Sequence, residues 1–325
     1  MDFRLSSDQA ALRDSARTLF ARESPPALVR ARYADPDATA DVLWKHVADS
    51  GWTALTVPEA YGGLGLSVIE LSLVLEEAGR VLAPAPLWES AGLAVPLLRE
   101  AGSEAQQAEW LPRLATGEIT ATALLPGGPF APEAQVVDVV VVGAGDRVEV
   151  MERPAVETLA SLDPTRTLCR LAAAPVAGGA VERALEEATV ALCAEMVGVA
   201  RWLLDTTVAY AKEREQFGVP IGSFQAIKHK LADMLLDVER ASAATYYAAM
   251  CVAADDADRT RAASVAKAAC GDAVRRAAKD GIQIHGGIGY TWEHDLHLYI
   301  RRAYADEALL GTSADHHDRL AELVL

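Results

Sequence analysis

The chain has 325 residues, enough for one large domain or two small ones, and its 51% hydrophobic against 23% charged residues mark it as globular rather than disordered. Lys and Arg number 30 against 46 Asp and Glu, a formal net charge of −16, which argues against a general binder of nucleic acid or of an anionic membrane because both need positive charge. Cys169, Cys193, Cys251 and Cys270 offer no C-x-x-C pair, and Met1 to Asp8 hold no apolar leader, so a cytoplasmic protein in a reducing compartment with no membrane span is expected.

Residues 1–118 read as helical. Ser7 is a plausible N-cap, followed by Ala11, Leu12, Ala16, Leu19 and Phe20 at helical spacing. Val42, Leu43, Trp44, Val47 and Ala48 define a second helix that Gly51 can end. The run from Val57 to Leu66, with Pro58, Gly62, Gly63 and Gly65, predicts a tight irregular turn. Residues 67–82 and 90–101 give two more apolar helical patterns, separated by Pro84 and Pro86.

Residues 119–178 change character. Val136 to Val142 is a β-branched run that ends at Gly143-Ala144-Gly145, and Arg147 to Val150 alternates as a returning hairpin strand would. Arg166 to Ala174 reads as a further strand. The glycine pair lacks the third glycine and following apolar helix of a phosphate loop, so a hairpin turn is the better reading.

Residues 179–325 are helical again. A first helix covers 182–212, interrupted only by Gly198. Gly218, Pro220 and Gly222 form a break, and Ser223 can cap a second helix through about Val252. A third runs to about Gly281 and a fourth ends near Gly311, which suggests a four-helix bundle.

Chemistry-bearing motifs are sparse. His294 and His297 have a ligand-like spacing but no third ligand, and His316 and His317 point to different sides of a helix, so no metal site is expected. Two stretches stand out. Arg214-Glu215-Gln216-Phe217-Gly218, followed by Phe224-Gln225, sets a guanidinium, a ring and amides at a turn between long helices, where an Arg can hold a phosphate. Gln283-Ile284-His285-Gly286-Gly287-Ile288-Gly289-Tyr290 allows close backbone approach of a bound dinucleotide. Taken alone, each of them also fits a simple helix–helix turn.

Together these motifs resemble the acyl-CoA dehydrogenase family of flavoproteins, nearly end to end. The likeness includes Val57-Pro58-Glu59 with Tyr61-Gly62-Gly63-Leu64-Gly65, Trp110-Leu111-Pro112 with Gly117-Glu118, the Arg214 and Gln283 elements, and Gly311-Thr312-Ser313. Thr291-Trp292-Glu293-His294-Asp295 gives it the flavour of actinobacterial, including steroid-degrading, members. The resemblance implies a mainly α fold: an N-terminal helical domain (1–118), a truncated middle β-domain (119–178) and a C-terminal four-helix bundle (179–325). It implies FAD at a subunit interface, with Arg214, Phe217, Gln225, Gln283, Gly286 and Gly287 on its adenosine pyrophosphate half and Thr312 near the same half. It also implies electron-transfer flavoprotein as the acceptor.

Two departures from the family matter. The usual catalytic carboxylate precedes Gly-Thr-Ser, where this chain has Leu310; the alternative position on the first bundle helix falls on Ala188. Asp306, Glu307 and Glu187 lie near these positions, with a solvated acidic patch the plainer reading of the first two. The middle region lacks the family's T-E-P-x-A-G-S-D-like flavin loop, having Thr122 to Phe130 in its place, and contains no Trp. The expected function is therefore the non-catalytic subunit of a heteromeric (α2β2) dehydrogenase whose full-length catalytic partner supplies the base and binds the acyl-CoA. The alternatives are a self-sufficient enzyme with a relocated base, and a helical interaction protein without flavin.

Overall fold

The computed structural model describes residues 3–325; Met1 and Asp2, part of the segment read above for a leader, lie outside the described residues. Helix α1 (Ser7–Glu23) is capped by Ser6 rather than Ser7: the Ser6 hydroxyl accepts the Gln9 amide while the Gln9 side chain accepts the Ser6 amide. Helix α2 (Pro26–Ala34), launched by Pro25-Pro26, was not anticipated, and α3 (Asp41–Asp49) stops just before Gly51 at φ 76°. The turn after it admits only glycine at Gly63, where a Cβ would lie 2.0 Å from the Val57 carbonyl oxygen. Helix α4 (Val68–Arg80) follows, boxed by Ser67 and Glu70. A π-helical turn (Trp88–Ala94) then runs into α5 (Val95–Ala101), and α6 (Glu104–Ala115) completes the N-terminal helices.

Six short strands follow: β1 (Ala121–Ala123), β2 (Phe130–Pro132), β3 (Val139–Ala144), β4 (Arg147–Glu152), β5 (Glu157–Leu159) and β6 (Leu168–Arg170). They form two three-stranded sheets, ordered β1-β3-β4 and β2-β6-β5. β1 runs parallel to β3 with Thr122 opposite Val140, β4 returns antiparallel with Val150 opposite Val141, and Ala131 faces Cys169 in the second sheet. The valine run of β3 is buried on both faces for a reason: Val139 and Val141 enter the main core, while Val140 and Val142 enter a smaller one with Leu124, Ala131 and Cys169. The Gly143–Gly145 stretch is the expected hairpin, turning at Gly145 with φ 69°.

The bundle is α7 (Gly179–Glu213), α8 (Gln225–Ala253), α9 (Arg259–His285) and α10 (Leu296–Ala308), with a small hairpin of β7 (Glu215–Gln216) and β8 (Val219–Pro220) between α7 and α8. A further helix, α11 (Ser313–Val324), lies beyond the four expected and packs on α9. α9 buries a small-residue face of Ala262, Ala266, Ala269, Ala273 and Ala277, which lets its neighbours come close. α4 and α7 approach more closely still: a Cβ on Gly79 would meet the Glu195 carbonyl oxygen at 2.2 Å, and one on Gly198 the Glu76 carbonyl oxygen at 2.0 Å. Among the described residues no helix is long and apolar enough to cross a membrane.

A buried ionic cluster joins these parts. Arg166, between the strands and the bundle, donates to Glu89 of the π-turn (3.0 Å), Glu195 of α7 (2.9 Å) and Asp306 of α10 (2.6 Å). Arg302 of α10 donates to Asp163 (2.5 Å), Glu195 (2.8 Å) and the Thr165 hydroxyl (2.9 Å). The buried Arg32–Glu133 pair is electrostatically coupled to it through Glu133, which also accepts the Thr167 amide. Two guanidiniums thus face four carboxylates, Glu89, Asp163, Glu195 and Asp306. Burial pushes Glu89 up from its ordinary value and Asp306 up to about 7, against the pull of Arg166, whereas Glu195, though equally buried, is held low by Arg166 and Arg302. Glu89 Oε2 and Asp306 Oδ2 are both without a hydrogen-bond partner, the atoms on which a retained proton would sit.

Removing Arg166 strands Glu89 and Asp306 in the core and leaves Glu195 to Arg302 alone, so Arg166→Ala should lower unfolding free energy by ~3–5 kcal/mol in urea titration. Asp306, raised in the fold, contributes stability at low pH that is lost as pH rises through about 7. Asp306→Asn keeps an acceptor for Arg166 and should flatten the fall in stability between about pH 4 and about pH 7; an unchanged slope would assign it to another group.

Candidate functional site

The expected cofactor residues gather at one end of the bundle. α7 stops at Arg214, whose φ of −73° and ψ of 120° leave the helix, and the Arg214 carbonyl accepts the Ile221 amide at 2.7 Å. The β7–β8 hairpin turns on Phe217 and Gly218 at φ 56° and 76°, the two left-handed positions that a tight hairpin demands. Phe217 accepts that conformation without glycine's freedom, and its ring is 93% exposed, with an edge-on contact to Phe224 at 6.2 Å. Ser223 does not cap α8: its hydroxyl donates to the Pro220 carbonyl at 2.7 Å, Phe224 takes the N-cap position, and the helix opens at exposed Gln225 with no side-chain cap.

The C-terminal end of α9 lies alongside. Tyr210 of α7 stacks on His285 at 4.4 Å and donates to its carbonyl oxygen, Lys230 of α8 pairs with Asp280 of α9, and Gly281 packs on Thr207. Gly286, at φ 62° and ψ −139°, ends α9 in a conformation only glycine adopts easily, and a Cβ on Gly286 or Gly287 would meet open space. Gln283 is exposed on the same end. An exposed guanidinium with no ion pair among the described residues, a displayed ring, an uncapped 29-residue helix and an open glycine platform fit one half of an aromatic, phosphate-bearing cofactor. Thr312 is not among them: it caps α11, its hydroxyl accepting the Asp315 amide, at the other end of the bundle.

At that other end a cavity of about 850 Å³ opens between the strands and α7, α9, α10 and α11. Glu182, Leu185, Glu186 and Thr189 line it from one face of α7, a helical spacing that is readable in the sequence. Leu310 forms part of the wall at φ 56°, its carbonyl accepting His316 Nε2–H at 2.9 Å. Buried Lys267 holds this turn by donating to the Glu307 and Gly311 carbonyls at 2.9 and 2.6 Å. Ala188 is fully buried, its carbonyl accepting Trp88 Nε1–H at 3.0 Å.

The carboxylates considered as relocated bases are committed elsewhere. Asp306 belongs to the Arg166 cluster, Glu307 accepts the Ser313 amide at 3.0 Å, and Glu187 takes both terminal nitrogens of Arg99, at 2.6 and 3.4 Å. None of the three lines the cavity. Glu186 does, but it accepts from the Thr260 hydroxyl and pairs with Arg259 at 3.0 Å. Among the described residues no cluster of three His, Cys, Asp or Glu could hold a metal; His294 instead packs edge-on against His285 and His297 against Tyr33.

The two ends are far apart. Along α7, Glu186 and Arg214 are separated by ~40 Å, and along α9 Ser264 and Gln283 by ~30 Å. Either distance exceeds an extended dinucleotide.

Comparison with known proteins gives the same family twice. Residues 6–118 match the acyl-CoA dehydrogenase N-terminal domain and residues 178–325 the acyl-CoA dehydrogenase C-terminal domain. The chain is 36% identical over 313 residues to acyl-CoA dehydrogenase IpdE2 of Mycobacterium tuberculosis, covering 95% of each. Its fold matches a chain of the ChsE4–ChsE5 complex from Mycobacterium tuberculosis with a TM-score of 0.90 at 27% identity, covering 99% of this chain and 98% of the other. A Tcur3481–Tcur3483 steroid ACAD variant gives 0.86 at 28% identity, covering 98% and 97%.

Because Arg214 and Phe217 project from the surface, Arg214→Ala and Phe217→Ala should each leave urea-unfolding stability within about 0.5 kcal/mol of the parent. A loss of several times that would mean these residues build the turn rather than present themselves to a ligand.

Proposed function

Because the chain belongs to the acyl-CoA dehydrogenase family, whose members are FAD-dependent oxidoreductases acting on CH–CH bonds, we propose that it is the non-catalytic subunit of a heteromeric acyl-CoA dehydrogenase. It is divided as residues 1–118, 119–178 and 179–325, and it completes the FAD site of a full-length catalytic partner in an α2β2 assembly. The observation that carries this reading is the separation of ~30–40 Å between the cofactor-binding end of the bundle and the chain's own cavity. A cofactor gripped by Arg214 and Gln283 cannot reach that cavity, so its reacting ring belongs in another subunit.

In this reading FAD supplies the hydride acceptor when bound, with electron-transfer flavoprotein downstream. Arg214 would hold the phosphate-bearing part of the cofactor by charge-assisted hydrogen bonds, the open amides of α8 at Gln225 would add the positive end of a helix, and the Phe217 ring would offer an apolar cover. Gly286 and Gly287 let the backbone come within contact distance, and the Gln283 amide closes the side. Thr312, which by its motif stands near the same half of the cofactor, lies at the other end of this bundle from these groups. The α-proton of the acyl-CoA is taken by the partner's carboxylate, since Leu310 and Ala188 carry none and Asp306, Glu307 and Glu187 are ion-paired or hydrogen-bonded away from the cavity. Exposed Leu235 and Leu236 on α8 suit packing against a second bundle. The names of two solved relatives, a ChsE4–ChsE5 complex and a Tcur3481–Tcur3483 steroid ACAD, support a paired assembly and a steroid acyl group as the substrate class.

Expressed alone, the chain should be colourless and inactive; made with its partner, the complex should be yellow. In the complex, Arg214→Ala should lower flavin content, and full retention would remove the cofactor role of Arg214. Stopped-flow bleaching of flavin by acyl-CoA, at matched flavin content, tests the base. Glu307→Gln and Asp306→Asn should stay within a few-fold of the parent, whereas loss of a general base costs on the order of a hundredfold or more. A collapse from either substitution, or a stable active homo-oligomer of this chain, would replace the partner reading with a self-sufficient enzyme.

A further inference from the structure

His285 makes none of the cofactor contacts assigned above, yet the glycine platform is built on it. Its ring, 3% exposed, lies on Tyr210 of α7 with centroids 4.4 Å apart and planes inclined by 20°. Tyr210 also donates its hydroxyl to the His285 carbonyl at 3.3 Å. One turn back on α9, the Gly281 carbonyl lies 2.8 Å from Nδ1. From the opposite side His294 meets the ring edge-on at 4.8 Å. The 3-10 turn Gly286–Tyr290 rests on the same residue: a Cβ on Gly289 would come within 3.1 Å of the His285 Cβ.

These contacts select one protonation state. A carbonyl oxygen only accepts, so Nδ1 carries the proton and Nε2 holds a bare lone pair. Nε2 is buried and has no hydrogen-bond partner. A second proton would therefore sit on an atom with nothing to accept it, and would place a cation in a buried site. Among the described residues no ion pair reaches the ring to offset that cost. Asp280 of α9 is paired with Lys230 of α8, Asp295 before α10 is paired with Arg30 of α2, and α7 presents only the Tyr210 ring. His294, whose Nδ1 accepts the Leu296 amide at 3.1 Å, opposes a charge on its neighbour. Burial thus holds His285 below the ordinary imidazole value against the pull of the Gly281 carbonyl, and His294 adds to the effect.

Resting on the assignment of this end to the cofactor, we infer that neutral His285 is the positioning residue of the Gly286–Gly287 platform: it seats the backbone that grips the dinucleotide, and on taking up a proton it unseats the turn and lets the cofactor go. Once unseated, the ring regains the ordinary value of about 6.5. The grip is therefore full above that pH and is lost as pH falls through the window between about 6.5 and the lowered value of the seated ring.

The test uses the assembly with the catalytic partner and reads two quantities from about pH 7.5 to about pH 5, across the imidazole range. One is FAD affinity, by titration of the flavin-depleted complex. The other is amide hydrogen exchange of residues 286–290, corrected for the intrinsic effect of pH. In the parent, affinity should fall by up to about tenfold for each pH unit below about 6.5, and exchange of the turn should rise over the same range. His285→Asn can still donate to the Gly281 carbonyl and cannot take up a proton; it should bind FAD a few-fold more weakly at neutral pH and show neither pH step. His285→Leu lacks the donor and should bind more weakly than His285→Asn throughout. Tyr210→Phe removes one hydrogen bond and should weaken FAD about fivefold with the parent's pH profile kept. A flat exchange profile in the parent, or a step that survives in His285→Asn or disappears in His294→Asn, would overturn the inference. Should neither His285 variant fold, the parent and Tyr210→Phe decide it: a step in both supports the seat, and its absence from either overturns it. An exchange step that depends on His285 while FAD affinity ignores both His285 and Arg214 would uphold the seat and remove the cofactor from this end, which is a failure of the subunit reading.

Discussion

Arg166 and Arg302 hold the molecule together where three kinds of structure meet. The turn at residues 163–167 before β6, the π-turn at Glu89, α7 at Glu195 and α10 at Asp306 converge on two guanidiniums. Burying so many charges costs more than it returns unless each is well matched, and the extra carboxylates are accommodated by keeping protons rather than by adding cations. A hydrophobic plug of equal volume would stabilise the joint as well, but it would not fix the angle between the strands and the bundle. The directional hydrogen bonds of Arg166, with Trp88 beneath its guanidinium at 5.2 Å, do fix it. The wall of the adjoining cavity, which includes Arg166 and Thr167, inherits that rigidity.

From that joint outward the chain has two unlike ends. Near the joint there is a roomy apolar chamber without an available base. At the far end there are cofactor-type groups without a chamber. Family members are flavoproteins, and on the reading proposed above the groups for such a cofactor are distributed so that neither end suffices alone. On that reading the division suits assembly with a full-length partner, which supplies what this chain lacks.

Much of this was legible in residues. Periodicity located α1, α3, α4 and the four bundle helices, and the β-branched valine run pointed to the strand β3. The order of short motifs, from Tyr61-Gly62-Gly63 to Gly311-Thr312-Ser313, carried the family. Other features were hidden for physical reasons. α2 is only nine residues long and α11 is short and polar, so neither shows an apolar stripe long enough to mark a helix. Ser223 looks like a cap, but the 3-10 turn from Ile221 to Ser223 draws its hydroxyl to Pro220. Thr312 sits by its motif near the cofactor group in sequence, yet α10 carries it to the opposite end of the bundle. The partners of Asp306, Glu307 and Glu187 lie 140, 6 and 88 residues away in sequence, and only the first and last needed the fold to be found.

The paired glycines where α4 crosses α7 have a mechanical meaning. Gly198 lies near the middle of α7, and the two backbones touch there with no side chain between them to compress or re-rotamer. Such a contact is a fulcrum. Any tilt of α7 about it moves the chamber end and the cofactor end in opposite directions, and with arms of ~25 Å a rotation of ~2° displaces each end by roughly 1 Å. Side-chain contacts would absorb so small a movement; a backbone-on-backbone pivot passes it along the whole helix.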